Sequence, residues 1–503
     1  FFFSMLVGLL VTSTAMAQQA SELASQFQST LDQRRGLCIY MGDTDVTVPL
    51  LLCDSGKHIV NILTPESDDL EEIRAQIAEQ KLLGMVTAEQ VAPGHFPHST
   101  NLVNLVVIDQ LGNHLADGLD LREVLRVLAP GGVAWIGQSG PGRKMNAAGL
   151  NQQLEKAGIE EATIVKENGL WARIGKPRPE AMDTWTHNKD DATNNPVSRD
   201  QQVGVPRGVR WIAGPNWPTG HRKQSVPTVV ASRQRLVYVF QDEVMVDGKL
   251  KRQDSLIARD AFNGLPLWRR KGTTTVLVSV GDRVYVTNSG RHLMALDADT
   301  GAQLEEFSVA PGMLIHQLLH VDSMLVVGTD KGVAVLDANN GETLWSKELS
   351  IKDHRQLVVG TVAGKKQVFC HDDLSRRGEG SFLVALSLAD GTTVFRQSIS
   401  QWAKGSPDLV LVQDNILVVA GDKGNHGVSA VDGHHLWDYS YSLIGHGGSY
   451  KKVLSMNGLF WIHTADTQES GQYAWEGLNP QTGKVEKRVI QPSDFNMKHR
   501  CSV

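Results

Sequence analysis

A short phrase that recurs six times in the second half of the chain constrains the fold more than any other feature. It reads small residue, x, Asp, x, x, Thr or Asn, Gly, three further residues and an aromatic residue, with some positions varied. The copies are marked by their acidic, glycine and aromatic positions: Asp260, Gly264 and Trp268; Asp297 and Gly301; Asp337, Gly341 and Trp345; Gly391; Asp432, Gly433 and Trp437; and Gly483. The fifth copy, aligned with Asp432 at the acidic position, is interpreted as shortened.

The turn glycines follow one another at steps of 37 to 50 residues, and short apolar strands precede each copy. This period is typical of a β-propeller with one four-stranded blade per repeat. We expect the Asp side chain to cap a tight turn between the third and fourth strands, where Gly takes a positive φ. We expect the Trp to lie between neighbouring blades. Because turns account for these carboxylates, none is interpreted as catalytic.

The first half of the chain has a different pattern, in which apolar strands alternate with helices between residues 30 and 175. Examples of strands are residues 36–43, 58–63 and 102–109. This alternation predicts a doubly wound, parallel α/β domain of the Rossmann-like type. Residues 176–204, which begin Lys-Pro-Arg-Pro, are interpreted as a linker and residues 205–503 as the propeller.

Residues 1–17 form an apolar stretch that ends in Ala15-Met16-Ala17. Such a stretch is typical of a secretory signal peptide, although its basic n-region is missing, so we interpret it as N-terminally truncated. The alternative is a buried N-terminal helix. A signal peptide predicts a periplasmic or extracellular protein with no transmembrane span after cleavage.

The charge balance and the cysteines exclude some classes of function. With 49 Lys and Arg against 55 Asp and Glu, and no basic run, nucleic acid is not expected as a partner. None of the four cysteines is adjacent to another, and no C-x-x-C motif occurs. Cys38 and Cys53 are best interpreted as buried free thiols, the alternative being a disulfide between them.

Two groups of residues are candidate metal ligands. The part of the linker that follows Lys-Pro-Arg-Pro is dense in oxygen ligands that could hold calcium, namely Asp183, Asp190, Asp191, Asn194 and Asn195. They lack EF-hand spacing, so we favour a structured loop that packs across one face of the propeller. His434-His435 and His446 suggest a metal, but isolated surface loops explain them better. No metal site is therefore predicted.

The sequence LREVLRVLAPGGVAWI, at residues 121–136, resembles the late motif of class I S-adenosylmethionine (SAM)-dependent methyltransferases. The strand that ends at Asp109 is similar to the family's fourth strand. The resemblance implies a SAM pocket at Gly42, Asp43, Thr64 and Asp109. The chain departs from the family, since its first loop has one glycine and Thr64 replaces the carboxylate that holds the ribose. A threonine cannot accept two strong hydroxyl hydrogen bonds as a carboxylate can.

An exported domain would also lack SAM, which is made and kept in the cytoplasm. We therefore expect a degenerate methyltransferase-like domain that is kept as a scaffold or binding module. The alternatives are an active methyltransferase and a domain that binds some other ligand.

The repeated phrase resembles the tryptophan-docking repeat of the pyrroloquinoline quinone (PQQ) propeller superfamily. That superfamily includes quinoprotein alcohol dehydrogenases and non-enzymatic propellers such as the outer-membrane β-barrel assembly lipoprotein. The enzymes typically carry vicinal cysteines, a Glu/Asn/Asp calcium set and a catalytic Asp. This chain has no adjacent cysteines, and no calcium set can be placed in it.

The whole combination resembles a group of large secreted bacterial proteins of unassigned activity. Their chains continue past a His-Arg-Cys motif, which stands at residues 499–501 in this sequence. We therefore expect a C-terminally truncated propeller, with six visible blades and seven or eight when complete.

The resulting interpretation is an exported binding or scaffold protein of the cell envelope. Its ligand would be a protein or a polysaccharide on a propeller face, and no cofactor or catalytic residue is assigned. The alternatives are a PQQ-dependent periplasmic dehydrogenase, with PQQ and calcium as cofactors, and a SAM-dependent methyltransferase.

Overall fold

The structure is a computed structural model of the chain. It describes residues 17–29, 35–53, 58–92, 94–139, 145–205, 208–213, 226–272, 276–288, 290–309, 313–351, 356–375, 378–403, 407–412, 415–421, 424–440, 453–465 and 473–490. Residues 1–16 of the predicted signal peptide, His446 and the His-Arg-Cys motif lie outside these ranges. Among the described residues, no helix is both long and apolar enough to cross a bilayer.

The chain divides into two compact units. The first comprises Phe1–Met182, Gln202–Asn216 and Arg259–Leu267, and the second comprises Asp183–Gln201, Trp217–Ala258 and Trp268–Val503. The predicted linker at 176–204 is therefore shared between the units, because its residues 183–201 group with the propeller sheets.

The first unit is built on one seven-stranded sheet with the order β3-β2-β1-β4-β5-β7-β6. The strands are β1 (Gly36–Met41), β2 (His58–Thr64), β3 (Val86–Gln90), β4 (Val103–Ile108), β5 (Leu128–Gln138), β6 (Thr163–Val165) and β7 (Leu170–Gly175). The helices are α1 (17–28), α2 (Thr47–Cys53), α3 (Ser67–Glu79), α4 (Leu111–Ala116), α5 (Leu121–Val127) and α6 (Ala147–Lys156).

Strands β1 to β5 are parallel, whereas β7 is antiparallel to both β5 and β6. The predicted α/β fold class is confirmed, and the sheet is mixed rather than purely parallel. The strands are apolar on both faces because both are covered: Ile39 of β1 faces one core and Cys38 faces the other.

Helix α1 is part of this unit, so the unit begins before the predicted boundary at residue 30. Phe27 is 1% exposed, and its ring lies 5.4 Å from Trp135 and 4.9 Å from Trp171. The apolar face of α1 is thus buried on the sheet.

Among the described residues, the second unit is built on six four-stranded antiparallel sheets, each one blade, of which blade 1 shares Arg259–Leu267 with the first unit. Blade 1 is β8 (Thr228–Ser232), β9 (Arg235–Val246), β10 (Lys249–Asp260) and β11 (Pro266–Lys271). Blade 2 is β12 (Leu277–Val280), β13 (Arg283–Asn288), β14 (His292–Asp297) and β15 (Gln303–Phe307). Blade 3 is β16 (Ile315–Val321), β17 (Met324–Thr329), β18 (Gly332–Asp337) and β19 (Thr343–Glu348).

Blade 4 is β20 (Leu357–Val362), β21 (Lys365–Leu374), β22 (Gly380–Ser387) and β23 (Thr393–Ser398). Blade 5 is β24 (Asp408–Val412), β25 (Ile416–Ala420), β26 (Gly424–Ser429) and β27 (His435–Ser440). Blade 6 is β28 (Val453–Met456), β29 (Leu459–Ala465), β30 (Tyr473–Leu478) and β31 (Val485–Ile490). The first strands of successive blades contact one another in chain order, so they are the inner strands of a propeller. The predicted propeller fold is confirmed, and the blade number of the complete protein stays a prediction.

The aromatic residue of one blade packs on the turn glycine of the next. Gly301 has a φ of +68°, and a Cβ placed on it would lie 2.6 Å from the Trp268 ring. Trp268 Nε1 donates to the carbonyl of Ala298 at 2.8 Å, and Asp297 Oδ1 accepts from Thr300 N at 2.8 Å. The same packing joins Phe307 to Gly341, Trp345 to Gly391, Phe395 to Gly433 and Trp437 to Gly483, and within the first unit Trp211 to Gly264.

The turn of blade 5 differs from the sequence alignment. Gly433 N donates to Ser429 O at 2.8 Å, as Gly301 N donates to Asp297 O at 2.8 Å. Ser429 therefore holds the first turn position, and Asp432 holds the fourth, where its Oδ1 accepts from His434 N at 3.1 Å. The repeat is not shortened at this turn. Its capping carboxylate comes from a different position of the same turn.

The described cysteines Cys38, Cys53 and Cys370 are free and buried. Burial raises the pKa of the Cys38 and Cys370 thiols well above the ordinary value. The interpretation of Cys38 and Cys53 as buried thiols is therefore confirmed, and no disulfide joins them.

Candidate functional site

In the first unit, the four residues predicted to hold SAM lie at the carboxyl ends of adjacent strands. Gly42 and Asp43 follow β1, Thr64 ends β2, and Asp109 follows β4. The strand order reverses between β1 and β4, and open α/β sheets bind ligands at such a switch point. The structure therefore brings these residues to the edge where a ligand would be expected.

Asp109 is held by hydrogen bonds from the chain itself. Its Oδ1 accepts from Ser139 N at 2.8 Å and from Gln110 N at 2.7 Å, and its Oδ2 accepts from Ser139 Oγ. Gln110 has a φ of +52°, and its Nε2 donates to Asp43 Oδ2 at 3.0 Å. The sequence analysis missed Gln110 and Ser139, whose only signal was their place just after β4 and β5.

The loop after β1 is also held by hydrogen bonds between its own residues. Asp43 Oδ1 accepts from Asp45 N at 3.1 Å, and Asp45 Oδ1 accepts from Thr47 N at 2.9 Å. Burial raises the pKa of Asp43. These carboxylates bond to backbone amides that a glycine-rich loop would present to a ligand. The loop thus supplies acidic side chains where the family presents bare backbone.

Thr64 is buried, and its hydroxyl accepts from Glu66 N at 3.2 Å. This bond uses the hydroxyl to order the turn into α3, at the position where the resembled family has its ribose carboxylate. The residues present therefore do not fit SAM, and no catalytic step is derived through it.

In the second unit, residues 185–195, named the axial segment, bond to the inner strand of every blade in chain order. The bonds are Trp185 N to Ala231 O at 2.9 Å, Ser279 N to Thr186 O at 3.0 Å, His320 N to His187 Nε2 at 2.9 Å, Val359 N to Ala192 O at 2.8 Å, Leu411 N to Thr193 O at 3.1 Å, and Ser455 N to Asn195 Oδ1 at 2.8 Å. These bonds hold the segment against the inner strands, and its packing across one face of the propeller stays a prediction. It lies where the inner strands converge.

Two asparagine amides join the axial segment to three blades. Asn194 is buried, and its Nδ2 donates to Leu357 O at 3.2 Å and to Leu409 O at 3.1 Å. Asn195 pairs with Ser455 through both its amide groups, since its Nδ2 also donates to Ser455 O at 3.0 Å. These side-chain amides make the hydrogen bonds that the backbone of a neighbouring strand would make, and do not act as oxygen ligands.

The charged groups of this segment are strongly perturbed by burial. Burial, together with the neighbouring Asp183 and Asp191, raises the pKa of Asp190 to about 7. Asp190 Oδ1 has no hydrogen-bond partner among the described residues, and its Oδ2 lies 3.9 Å from Arg199. Burial lowers the pKa of His187 to about 4, so this imidazole is neutral at pH 7.

Two of the suggested calcium ligands, Asn194 and Asn195, use their side-chain amides in hydrogen bonds to the inner strands. In the part of the chain that the structure describes, the only group of three or more His, Cys, Asp or Glu ligand atoms within 4.8 Å of one another is His426, His435 and Asp438. His435 is the first residue of β27, so the interpretation of His434-His435 as an isolated surface loop is wrong for His435. Its Nε2 lies 2.9 Å from Asp438 Oδ1.

The propeller residues that the structure describes do not fit PQQ with calcium. The sequence has no adjacent cysteines, the repeat carboxylates bond to amides of their own turns, and the axial segment lies against the inner strands. No oxidation step is therefore derived through a quinone.

The family model described as outer membrane protein assembly factor BamB matches residues 252–375 and 330–492. No curated protein matches the chain. BamB from Moraxella catarrhalis is 17% identical, covering 51% of this chain and 70% of its own, with a TM-score of 0.37. A europium-containing methanol dehydrogenase is 11% identical, covering 61% of this chain and 78% of its own, with a TM-score of 0.44.

A SAM-dependent methyltransferase from Aquifex aeolicus is 16% identical, covering 31% of this chain and 98% of its own, with a TM-score of 0.25. The chain combines a methyltransferase-like α/β domain with a β-propeller of PQQ-like repeats. The propeller sheets and the family match carry the second half of this description, and the seven-stranded sheet carries the first.

Proposed function

We propose that this chain is a binding or scaffold protein of the cell envelope, in the periplasm or outside the cell, and that it binds another protein. The axial segment is the observation that carries this proposal. It takes up main-chain donors or acceptors on the inner strands of all six blades. A small ligand at that place would have to displace buried hydrogen bonds, each of which is costly to leave unmade.

Recognition is therefore assigned to the outer strands of the blades. In four of them the register shifts by one residue against the neighbouring strand, and the extra residue is apolar and 39–48% exposed. These bulge residues are Leu304, Leu344, Val394 and Leu436. Aliphatic side chains at a repeated position favour a protein partner over a polysaccharide, which needs hydrogen-bonding groups. The match to a family of assembly factors supports the same choice.

The alternatives are a PQQ-dependent dehydrogenase and a methyltransferase, and calorimetry on the full chain tests both. PQQ with calcium, and SAM in a separate titration, are injected into folded protein. We expect neither to bind one-to-one, because the polar groups at both candidate sites are already hydrogen-bonded to other residues of the chain. Stoichiometric PQQ binding that needs calcium would replace the proposal with the dehydrogenase, and stoichiometric SAM binding with the methyltransferase.

Site-specific photo-crosslinking tests the surface directly. A photoreactive amino acid is placed at Leu344 in the organism that carries the protein, with Lys365 as the control, an exposed position at the start of β21 in the next blade. We expect one protein adduct from position 344 and none from 365. Equal labelling from both positions, or an adduct from neither in folded protein, would refute this surface.

A further inference from the structure

Three side chains with metal-binding atoms share one face of the outer hairpin of blade 5. His426 Nδ1 lies 2.6 Å from Asp438 Oδ1, and His435 Nε2 lies 2.9 Å from the same oxygen. All three ligand atoms lie within 4.8 Å of one another. Two imidazole nitrogens and one carboxylate oxygen thus converge on a single point.

A β-bulge produces this convergence. His426 of β26 pairs directly with Asp438 of β27, so their side chains share a face. His435 lies three residues before Asp438, and in a regular strand it would point to the opposite face. The register shifts between Gly427 and Val428, which leaves Leu436 as an extra residue and returns His435 to the face of Asp438.

The bulge recurs in the other blades compared, whereas the set of three ligands is specific to blade 5. Register shifts at the same place occur in blades 2, 3, 4 and 6. The residues at the three equivalent positions are Met294, Gln303 and Glu306 in blade 2; Ala334, Thr343 and Ser346 in blade 3; Val384, Thr393 and Arg396 in blade 4; and Glu476, Val485 and Arg488 in blade 6. None of these sets contains a histidine.

The surroundings leave one side of the cluster rigid and the other open. The Trp402 ring packs 4.8 Å from the His426 ring and 4.9 Å from the His435 ring. The side chains of His426, His435 and Asp438 are 11%, 31% and 57% exposed. An ion can therefore enter from solvent on the Asp438 side and keep a water molecule there.

We propose that His426, His435 and Asp438 form a binding site for a divalent first-row transition metal ion of the zinc class. Imidazole and carboxylate suit such ions, and three protein ligands leave a position for water. Ligands about 2.0–2.1 Å from a tetrahedral zinc lie about 3.3 Å apart, so the cluster must open by roughly half an ångström. The exposed Asp438 side chain can make this shift.

The test is calorimetric titration of Zn²⁺ into the full chain after removal of bound metal with a chelator. We expect one Zn²⁺ per chain, and at least ten-fold weaker binding in His435→Ala and Asp438→Asn. The matched controls are His434→Ala, which removes the exposed neighbour of His435, and His292→Ala, which removes a histidine paired with Glu306 in blade 2. Both controls should bind as the parent does.

A second measurement keeps the test independent of folding defects. Asp438 is mostly exposed, and an Asn oxygen there can still accept a hydrogen bond from His426 or His435, so Asp438→Asn should fold and melt near the parent's temperature without metal. Zn²⁺ should then raise the melting temperature of the parent and of His434→Ala but not of Asp438→Asn. Absence of binding to folded parent, or equal affinity in the parent, the two ligand variants and the controls, would overturn the site.

Discussion

Two glycines of blade 2 allow the docking of Trp268 to be measured apart from backbone strain. Gly281 and Gly301 have φ values of +60° and +68°, so alanine is strained by a similar amount at both. A Cβ on Gly281 would meet no heavy atom within 4 Å, whereas on Gly301 it would lie 2.6 Å from the Trp268 ring. The pair therefore differs in one contact.

Gly281→Ala should cost about 1 kcal/mol, the usual penalty of a left-handed alanine. Gly301→Ala should cost about 2–4 kcal/mol, because overpacking against the indole adds about 1–3 kcal/mol. The free energy of unfolding is measured by denaturant titration. Because the chain has two compact units, the transition analysed is the one that Trp268→Leu also shifts, which is the unfolding of the propeller.

A double-mutant cycle completes the test. In a Trp268→Leu background the indole is gone, and Gly301→Ala should cost about 1 kcal/mol, as Gly281→Ala does. The expected coupling between positions 268 and 301 is therefore about 1–3 kcal/mol. If Gly281→Ala and Gly301→Ala are equally stable when Trp268 is present, the packing of Trp268 on Gly301 does not hold the turn against the preceding blade, and this reasoning is refuted.

Three further predictions concern the axial segment and the packing of Trp437 between blades 5 and 6. Asn194→Ala should destabilise the protein by about 1–3 kcal/mol in denaturant titration, because the buried Leu409 carbonyl loses this donor while Leu357 O keeps the one from Gln317 at 2.7 Å; the exposed Asn188→Ala should stay within about 0.5 kcal/mol. Because the folded-state pKa of Asp190 is raised from 3.8 to about 7, its protonated form is favoured on folding, and its contribution to stability should fall as pH rises between these values. The lowered pKa of His187 contributes the opposite slope over part of this range, so the expected result is that the melting temperature of the parent falls relative to that of Asp190→Asn between pH 5 and pH 8. Trp437→Phe should cost about 1–3 kcal/mol in unfolding, because the carbonyl of Pro480 loses the indole donor 2.7 Å away.

The propeller could be predicted because its signals are local. A left-handed glycine such as Gly341, a capping Asp337 and an aromatic residue four positions after the glycine, Trp345, specify one turn without knowledge of the rest of the chain. The misalignment of blade 5 has the same origin. An Asp at the first or at the fourth turn position caps the turn equally well, so the sequence does not distinguish Ser429 from Asp432 as its start.

The candidate sites were harder to predict because they depend on contacts distant in sequence. The carboxyl ends of β1, β2 and β4 could be located, but the bonds that Gln110 and Ser139 make to Asp109 could not. The axial segment bonds mainly through its backbone, which carries no residue pattern. The histidine cluster needs a bulge that reverses the expected face of His435, and strand periodicity alone predicts the wrong side.

Blade 5 joins the two proposals on one strand. Leu436, a bulge residue assigned to a protein partner, lies between His435 and Asp438, and its insertion is what brings their side chains to one face. An ion that fixes both ligands also fixes the backbone that presents Leu436, which is 39% exposed. If zinc raises the affinity for a partner that contacts Leu436, thermodynamic linkage requires that this partner raise the affinity for zinc by the same factor. The partner affinity of the parent should therefore depend on zinc, and that of Asp438→Asn should not, although its bulge residue is unchanged.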